Sequence, residues 1–64
     1  MSAIQYTHLE PGGVYRLVAN SGHFSMLVRF VSIQDGLLFL HDGCRSLSLT
    51  KYTVLDGHAT FYEI

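Results

Sequence analysis

Glycine-containing turn signals recur at short intervals along this chain and limit it to short secondary-structure elements. They are Pro11-Gly12-Gly13, Asn20-Ser21-Gly22, Asp35-Gly36, Asp42-Gly43 and Asp56-Gly57. Asp-Gly between apolar runs is a strong hairpin signal, because a type I′ turn needs positive φ at both central residues. No window of about eleven or more residues keeps the apolar period of an α-helix, and no capping box precedes an apolar run. The sequence therefore predicts hairpins rather than long helices.

The segments between the turns are predicted to be strands. Their approximate bounds are 14–19, 24–34, 37–41, 44–49 and 59–64, with 3–6 as an additional edge. Residues 50–55 suit either a short strand or a 3₁₀ turn. Two-residue turns then fix the residues that face each other. The expected partners are Tyr15–Val28, Leu17–Met26 and Ala19–Phe24; Val31–Leu40, Ile33–Leu38 and Gln34–Leu37; and Leu38–Leu47, Leu40–Arg45 and His41–Cys44.

The long strand 24–34 changes its inward-facing parity halfway along. In the first hairpin its even positions lie on the apolar face, and in the second its odd positions do. A β-bulge or sharp bend between Val28 and Val31 would let both residues point inward. Bent strands shared between two small sheets are how short barrels close. We expect an all-β fold: a small, five-stranded, strongly bent antiparallel barrel that occupies residues 1–64 as a single domain.

One segment adds a resemblance to this pattern. Leu9-Glu10-Pro11-Gly12-Gly13-Val14-Tyr15 resembles the approach to the first strand of many SH3-like barrels. The order of hairpins, a short turn at 50–55 and a last strand is also similar to that architecture, which implies an SH3-like barrel over most of the chain. Peptide-binding SH3 domains carry an Ala-Leu-Tyr-Asp-Tyr motif and paired tryptophans, and Sm-like RNA-binding barrels carry a glycine–asparagine signature. This chain has neither pattern and no tryptophan, so no functional residue is carried over.

The composition of the chain indicates its cellular compartment and the kinds of partner that it can bind. The one cysteine, Cys44, has no partner for an intrachain disulfide, no apolar run reaches the length of a membrane span, and the N-terminus lacks the pattern of a signal peptide. These features predict a soluble, cytoplasmic protein with no membrane contact. Charged residues make up 14% of the chain, against about 25% in a typical soluble domain. A surface so poor in charge is expected to be covered in part by another protein or by copies of this chain.

The segment His41-Asp42-Gly43-Cys44 is the strongest candidate for chemistry. Across a type I′ turn its imidazole and thiol would lie on Cβ atoms about 5 Å apart, which suits nucleophile activation or two metal ligands. A structural zinc site needs further ligands, and the other histidines are scattered along the chain. No nucleophile elbow or triad spacing is present. We therefore expect no catalytic residue, no metal and no cofactor, and we expect that the protein is not an enzyme.

Two groups of residues are predicted to bind partners. Phe30, Leu37, Phe39 and His41 share the outer face of the central meander beside Cys44, and together they would form an apolar patch. This patch favours a non-catalytic binding or adaptor protein, acting as a stoichiometric modulator or inhibitor of a larger cellular protein or as a homo-oligomer. An origin in a phage or mobile element would suit such a role.

The alternative is a small RNA- or DNA-binding barrel. It would use the strand arginines and a tyrosine: Tyr15, Arg16, Arg29 and Arg45. Arginine suits bidentate contact with phosphate or carboxylate. However, four basic residues stand against five acidic ones, whereas non-specific nucleic-acid binding usually rests on a basic excess. Protein contact is therefore the first expectation and nucleic-acid binding the second.

Overall fold

The computed structural model describes residues 3–19 and 22–64. Within these ranges the elements are β1 (Ala3–Ile4), a 3₁₀ helix (Tyr6–His8), β2 (Val14–Ala19), β3 (Phe24–Gln34), β4 (Leu37–His41), β5 (Ser46–Thr50), α1 (Lys51–Leu55) and β6 (Ala59–Tyr62). The strands form one antiparallel sheet in the order β1-β6-β2-β3-β4-β5. The predicted all-β antiparallel fold is confirmed, with six described strands in place of five. Within the described residues β1 and β5 end the sheet and do not pair with each other, so the expected closure into a barrel is not shown.

The first hairpin has the predicted register throughout. The second has it next to its turn, where Ile33 lies opposite Leu38, but further along Leu40 lies opposite Phe30 rather than the predicted Val31. Leu17 lies opposite Met26 and Ala19 opposite Phe24, although the predicted turn residues Asn20 and Ser21 lie outside the described residues. In the second hairpin Asp35 and Gly36 have φ values of 52° and 77°. Positive φ at both central positions is the signature of a type I′ turn, so the interpretation of this Asp-Gly pair is confirmed.

The third hairpin differs from the prediction. His41 lies opposite Ser46 rather than Cys44, and Leu40 lies opposite Leu47 rather than Arg45. The predicted register would have placed Arg45 on the core face beside Leu40, which is only 1% exposed. A shift of two residues gives Leu40 an apolar partner and leaves Arg45 in the connecting loop. The arrangement avoids burying an unpaired charge, which is costly.

The expected irregularity in β3 is present, but it lies slightly later than predicted. The register with β4 shifts between Phe30 and Ser32, so Val31 is the additional residue. Phe30 is 3% exposed whereas Val31 is 50% exposed. The Phe30 N–H donates to Gly13 O (2.9 Å), and Phe30 O accepts from the Gly12 N–H (2.8 Å). The inward residue is therefore the phenylalanine, because its ring buries more apolar surface than a valine does.

The core lies on the inner face of the sheet. Its least exposed side chains are Val28, Leu38, Leu40 and Phe61, and Leu9, Leu17, Phe30 and Ala59 complete it. Residues 51–55 form the α-helix α1, which corrects the expectation of a strand or 3₁₀ turn. Its cap is Thr50, whose Oγ1 accepts the Thr53 N–H at 3.3 Å, and Val54 packs against the core. No helix in the described ranges is long and apolar enough to cross a membrane.

Candidate binding surface on the outer face

The face of the sheet opposite the core, here called the outer face, combines the two groups of residues that were predicted separately. Strand pairing places Val14 opposite Arg29, Arg29 opposite His41, and Arg16 opposite Leu27. Because side chains alternate along a strand, Leu37 and Phe39 share this face with His41. Arg29 connects the predicted arginine residues with the predicted patch residues of β4, because it lies opposite His41.

A depression of about 310 Å³ lies on the outer face between β2, β3 and the β4–β5 loop. Val14 and Leu27 are its apolar walls, and they are 43% and 49% exposed. Arg29 and His41 also line it, and Asp42 and Gly43 close one end. We call it the outer-face depression. It presents exposed apolar surface directly beside a permanent positive charge.

Hydrogen bonding orients His41 in this depression. Its Nδ1 accepts the N–H of Gly43 at 3.0 Å. A neutral imidazole with an acceptor at Nδ1 carries its proton on Nε2, so the second nitrogen is a donor. In the ranges that the structure describes, the one carboxylate contact of a basic side chain within 4 Å is Arg45 Nε to Asp42 Oδ2, at 3.9 Å. Within those ranges, the Arg29 guanidinium has no carboxylate partner.

Asp42 holds the loop beside the depression. Its Oδ1 accepts the N–H groups of Cys44 (2.8 Å) and Arg45 (2.9 Å). These two backbone hydrogen bonds, followed by the positive charge of Arg45, lower the pKa of Asp42 below its ordinary value of 3.8. The carboxylate is thus committed to the fold of the loop, because both of its oxygens have partners.

The geometry of the outer-face depression suits an acidic group attached to apolar surface. The planar guanidinium of Arg29 can donate two parallel hydrogen bonds to a carboxylate. The Nε2–H of His41 supplies one more donor on the adjacent strand. The walls formed by Val14 and Leu27 would contact the apolar groups that flank such a carboxylate.

The structure corrects several of the predicted site residues. Phe30 is buried in the core and leaves the predicted apolar patch. Tyr15 is half-buried on the inner face, where its hydroxyl accepts the Glu10 N–H at 2.9 Å, so it lies apart from the arginines of the outer face. Cys44 is exposed in the β4–β5 loop and is not the cross-strand neighbour of His41. Arg45 lies in the same loop.

At least three residues of the surface were not selected as site residues from the sequence, and one of them is Val14, an apolar wall of the depression. Leu27 forms one wall of the depression, and Tyr62 of β6 lies opposite Arg16. The first hairpin already implied that Leu27 lies between the two arginines, and this was a usable signal. Nothing local to the sequence indicated Tyr62, because its position depends on the pairing of β6 with β2, which are distant in the chain.

A larger concavity of about 690 Å³ lies elsewhere, between the N-terminal segment and α1. Ile4, Tyr6, Val54, Leu55 and Ala59 supply most of its apolar lining, and no charged residue of the described chain lines it. Its polar lining is neutral and includes Gln5, Thr7 and Thr60, so it offers no charge that would select a charged ligand. The outer-face depression is smaller, but it is lined by the permanent cation of Arg29 and by the oriented imidazole of His41, and it is the stronger candidate site.

Within the described residues, no group of three or more His, Cys, Asp and Glu side chains is arranged to hold a metal ion. The chain matches no protein-family model, and comparison with curated proteins and with solved structures gives no significant match. The interpretation of the outer face therefore depends on its own geometry.

Proposed function

We propose that this chain is a non-catalytic protein-binding module and that its outer face holds an acidic, apolar-flanked segment of a larger protein. The observation that supports this proposal is the position of Arg29 and His41 in one depression with the exposed apolar side chains of Val14 and Leu27. Apolar contact supplies affinity, and the paired donors select a carboxylate. Covering such a segment would modulate or inhibit the partner without chemistry. The exposed thiol of Cys44 suits a reducing compartment such as the cytoplasm.

A nucleic-acid ligand is the second candidate, and one observation favours it. Tyr62 lies opposite Arg16 on the outer face, so an aromatic ring and a guanidinium are neighbours, as they are in many single-strand binding surfaces. Against it, the net charge is −1, and half of the depression's wall is aliphatic. We therefore favour the protein ligand.

A quantitative capture experiment tests the choice. The immobilised wild-type chain is compared with Arg29→Glu and Leu27→Asp on lysate of the native host, and Lys51→Glu is the control with the same change of charge outside the depression. We expect a captured protein that survives nuclease treatment, is retained by Lys51→Glu and is lost from the other two variants. Capture that is abolished by nuclease would support nucleic acid instead. Capture that neither depression variant weakens would contradict the outer-face proposal.

A further inference from the structure

Among the residues that the structure describes, strand β5 is an open edge of the sheet. It pairs with β4 on one side, and it ends the strand order on the other. Two backbone bonds bracket the β4–β5 ladder, from Asp42 N–H to Arg45 O (3.1 Å) and from Lys51 N–H to Gly36 O (2.8 Å). Hydrogen-bonded pairs alternate along an antiparallel ladder. The N–H groups of alternate β5 residues (Ser46, Ser48 and Thr50) therefore point toward the open edge.

This edge lacks the usual protection against pairing with another strand. Natural edge strands are commonly blocked by proline, by charged side chains or by being very short. β5 has the sequence Ser46-Leu47-Ser48-Leu49-Thr50, with no proline and no charge. At the opposite end of the sheet, β1 has only two residues. β5 is thus the longer of the two edges and the one more open to pairing.

The sequence of β5 is complementary to itself. If two copies pair antiparallel about Ser48, each Leu47 lies opposite Leu49 of the second copy, and each Ser46 lies opposite Thr50. The Ser48 residues then face each other and exchange two backbone hydrogen bonds. Both leucines lie on the inner face and the hydroxyl residues on the outer face in either copy, so the apolar and polar faces continue across the junction.

We propose that two copies of this chain associate through antiparallel β5–β5 pairing about Ser48, which joins their sheets into one. The proposal goes beyond the protein-binding function because it uses a different surface, the edge of the sheet. A two-fold axis through the Ser48 pair gives the closed, isologous contact that is typical of homodimers.

An apolar groove beside β5 would add buried area to the dimer contact, because pairing of the two strands alone buries too little. The groove, of about 200 Å³, lies on the inner face and is lined by Phe24, Met26, Leu47 and Leu49 among others. Phe24 is 48% exposed. A standard interface buries about 800 Å² per partner, which is roughly a fifth of the 4326 Å² that this chain exposes. Five paired residues do not reach that area, so we infer that the leucines of each copy also cover part of the other copy's groove.

The charges at the ends of β5 give the dimer a distinctive salt response. In the two-fold arrangement Arg45 lies opposite Lys51 of the second copy, so two pairs of like charges face each other. Salt screens exposed charges more than about 10 Å apart at 0.1 M and weakens closer repulsion as well. Dimerisation should therefore strengthen as salt rises, whereas the attraction of Arg29 for an acidic segment should weaken. The two surfaces thus respond to salt in opposite directions.

A charge-swap experiment tests the pairing at its centre, because Ser48 faces itself. Ser48→Asp and Ser48→Lys each place two like charges opposite each other, and a mixture of the two variants places opposite charges there. By analytical ultracentrifugation we expect a wild-type dimer. Each variant alone should have a dissociation constant up to about fivefold higher, and the equimolar mixture should recover dimers. Ser25→Asp and Ser25→Lys, on exposed Ser25 of β3, are the matched controls and should dimerise like wild type.

Circular dichroism of each variant establishes that the monomers are folded. Ser48→Pro is a further probe, because its missing N–H faces the open edge and costs no bond to β4; it should be a folded monomer. A wild type that stays monomeric at its highest soluble concentration would overturn the proposal, and so would a mixture that shows no recovery of dimers. Arg29→Glu should dimerise normally, so failure of the β5 contact is distinguishable from failure of the outer-face proposal.

Discussion

The two Asp-Gly turns on either side of β4 share a dipeptide but turn the chain differently. At Asp35-Gly36 both residues are left-handed and form the turn themselves. At Asp42-Gly43 only the glycine is left-handed, with φ of 99°, and Asp42 flanks the turn. Its side chain accepts the Cys44 and Arg45 N–H groups. An Asp-Gly pair thus predicts a turn. Which residues occupy the central positions of that turn depends on the register in which the flanking strands pair.

The reason for the difference lies in the residues beside each turn. A type I′ turn centred on Asp35-Gly36 places Ile33 opposite Leu38, and both lie on the inner face. The same turn centred on Asp42-Gly43 would place Arg45 opposite Leu40 in the core. Shifting the centre by one residue makes Leu47 the partner of Leu40. The apolar contact between Leu40 and Leu47, together with keeping the charge of Arg45 out of the core, favours the shifted register.

The largest expected effect tests the claim that core burial decides the register. Leu40→Asp should unfold the chain, because an unpaired carboxylate would replace a nearly fully buried leucine at a cost of more than about 3 kcal/mol. Phe39→Asp, one residue away on the outer face, should remain folded. Thermal unfolding followed by circular dichroism measures both. Equal loss of structure in the two variants would contradict the assignment of inner and outer faces.

The next effect compares the two turns directly by the same substitution. Asp42→Gly removes the acceptor of two backbone N–H groups and should lower the unfolding midpoint by a few degrees. Asp35→Gly removes a side chain from a left-handed position, where glycine is favoured, and should change the midpoint little. Melting curves of the two variants and of the wild type, measured together, give the unfolding midpoints to compare. If Asp35→Gly were the more damaging change, the roles assigned to the two aspartates would be reversed.

A smaller effect should appear in the stability of the fold at acidic pH. The pKa of Asp42 is lowered in the folded chain, so the folded state binds its proton less readily than the unfolded state does. The resulting stabilisation is present above the ordinary value of 3.8 and is lost as pH falls through the lower, folded value. Asp42→Asn should therefore flatten the acid limb of a plot of stability against pH. A limb as steep as that of wild type would show that other groups cause it.

The smallest effect on stability is expected for substitution of Cys44, whose side chain is exposed in the β4–β5 loop. Cys44→Ser should change the free energy of unfolding by no more than about 0.5 kcal/mol, because Cys44 is exposed and contributes its backbone N–H to the turn. It should also leave capture by the outer face unchanged. Loss of capture or of a bound metal on this substitution would give the thiol a role that the geometry does not indicate.

Short-range sequence patterns were enough to predict the local parts of the fold. Alternation and turn residues predicted the bounds of β2, β3 and β4, the register of the first hairpin and that of the second beside its turn, because these pairings join residues close in the chain. The same pattern indicated an irregularity in β3, since one regular strand could not keep both halves of its apolar set inward. It also placed Arg16, Leu27 and Arg29 on one face.

The remaining features were decided by contacts between distant segments. Phe30 rather than Val31 faces the core because the larger ring buries more apolar surface, and the backbone of Phe30 is held there by bonds to Gly12 and Gly13, which lie far from it in the sequence. Tyr62 reaches Arg16 only because β6 pairs with β2. Arg45 leaves the sheet because Leu40 requires an apolar partner. The sequence alone determined where the chain turns and which residues alternate; the tertiary structure decided the bulge, the third register and the combined outer face, because each depends on which side chains compete for one shared core.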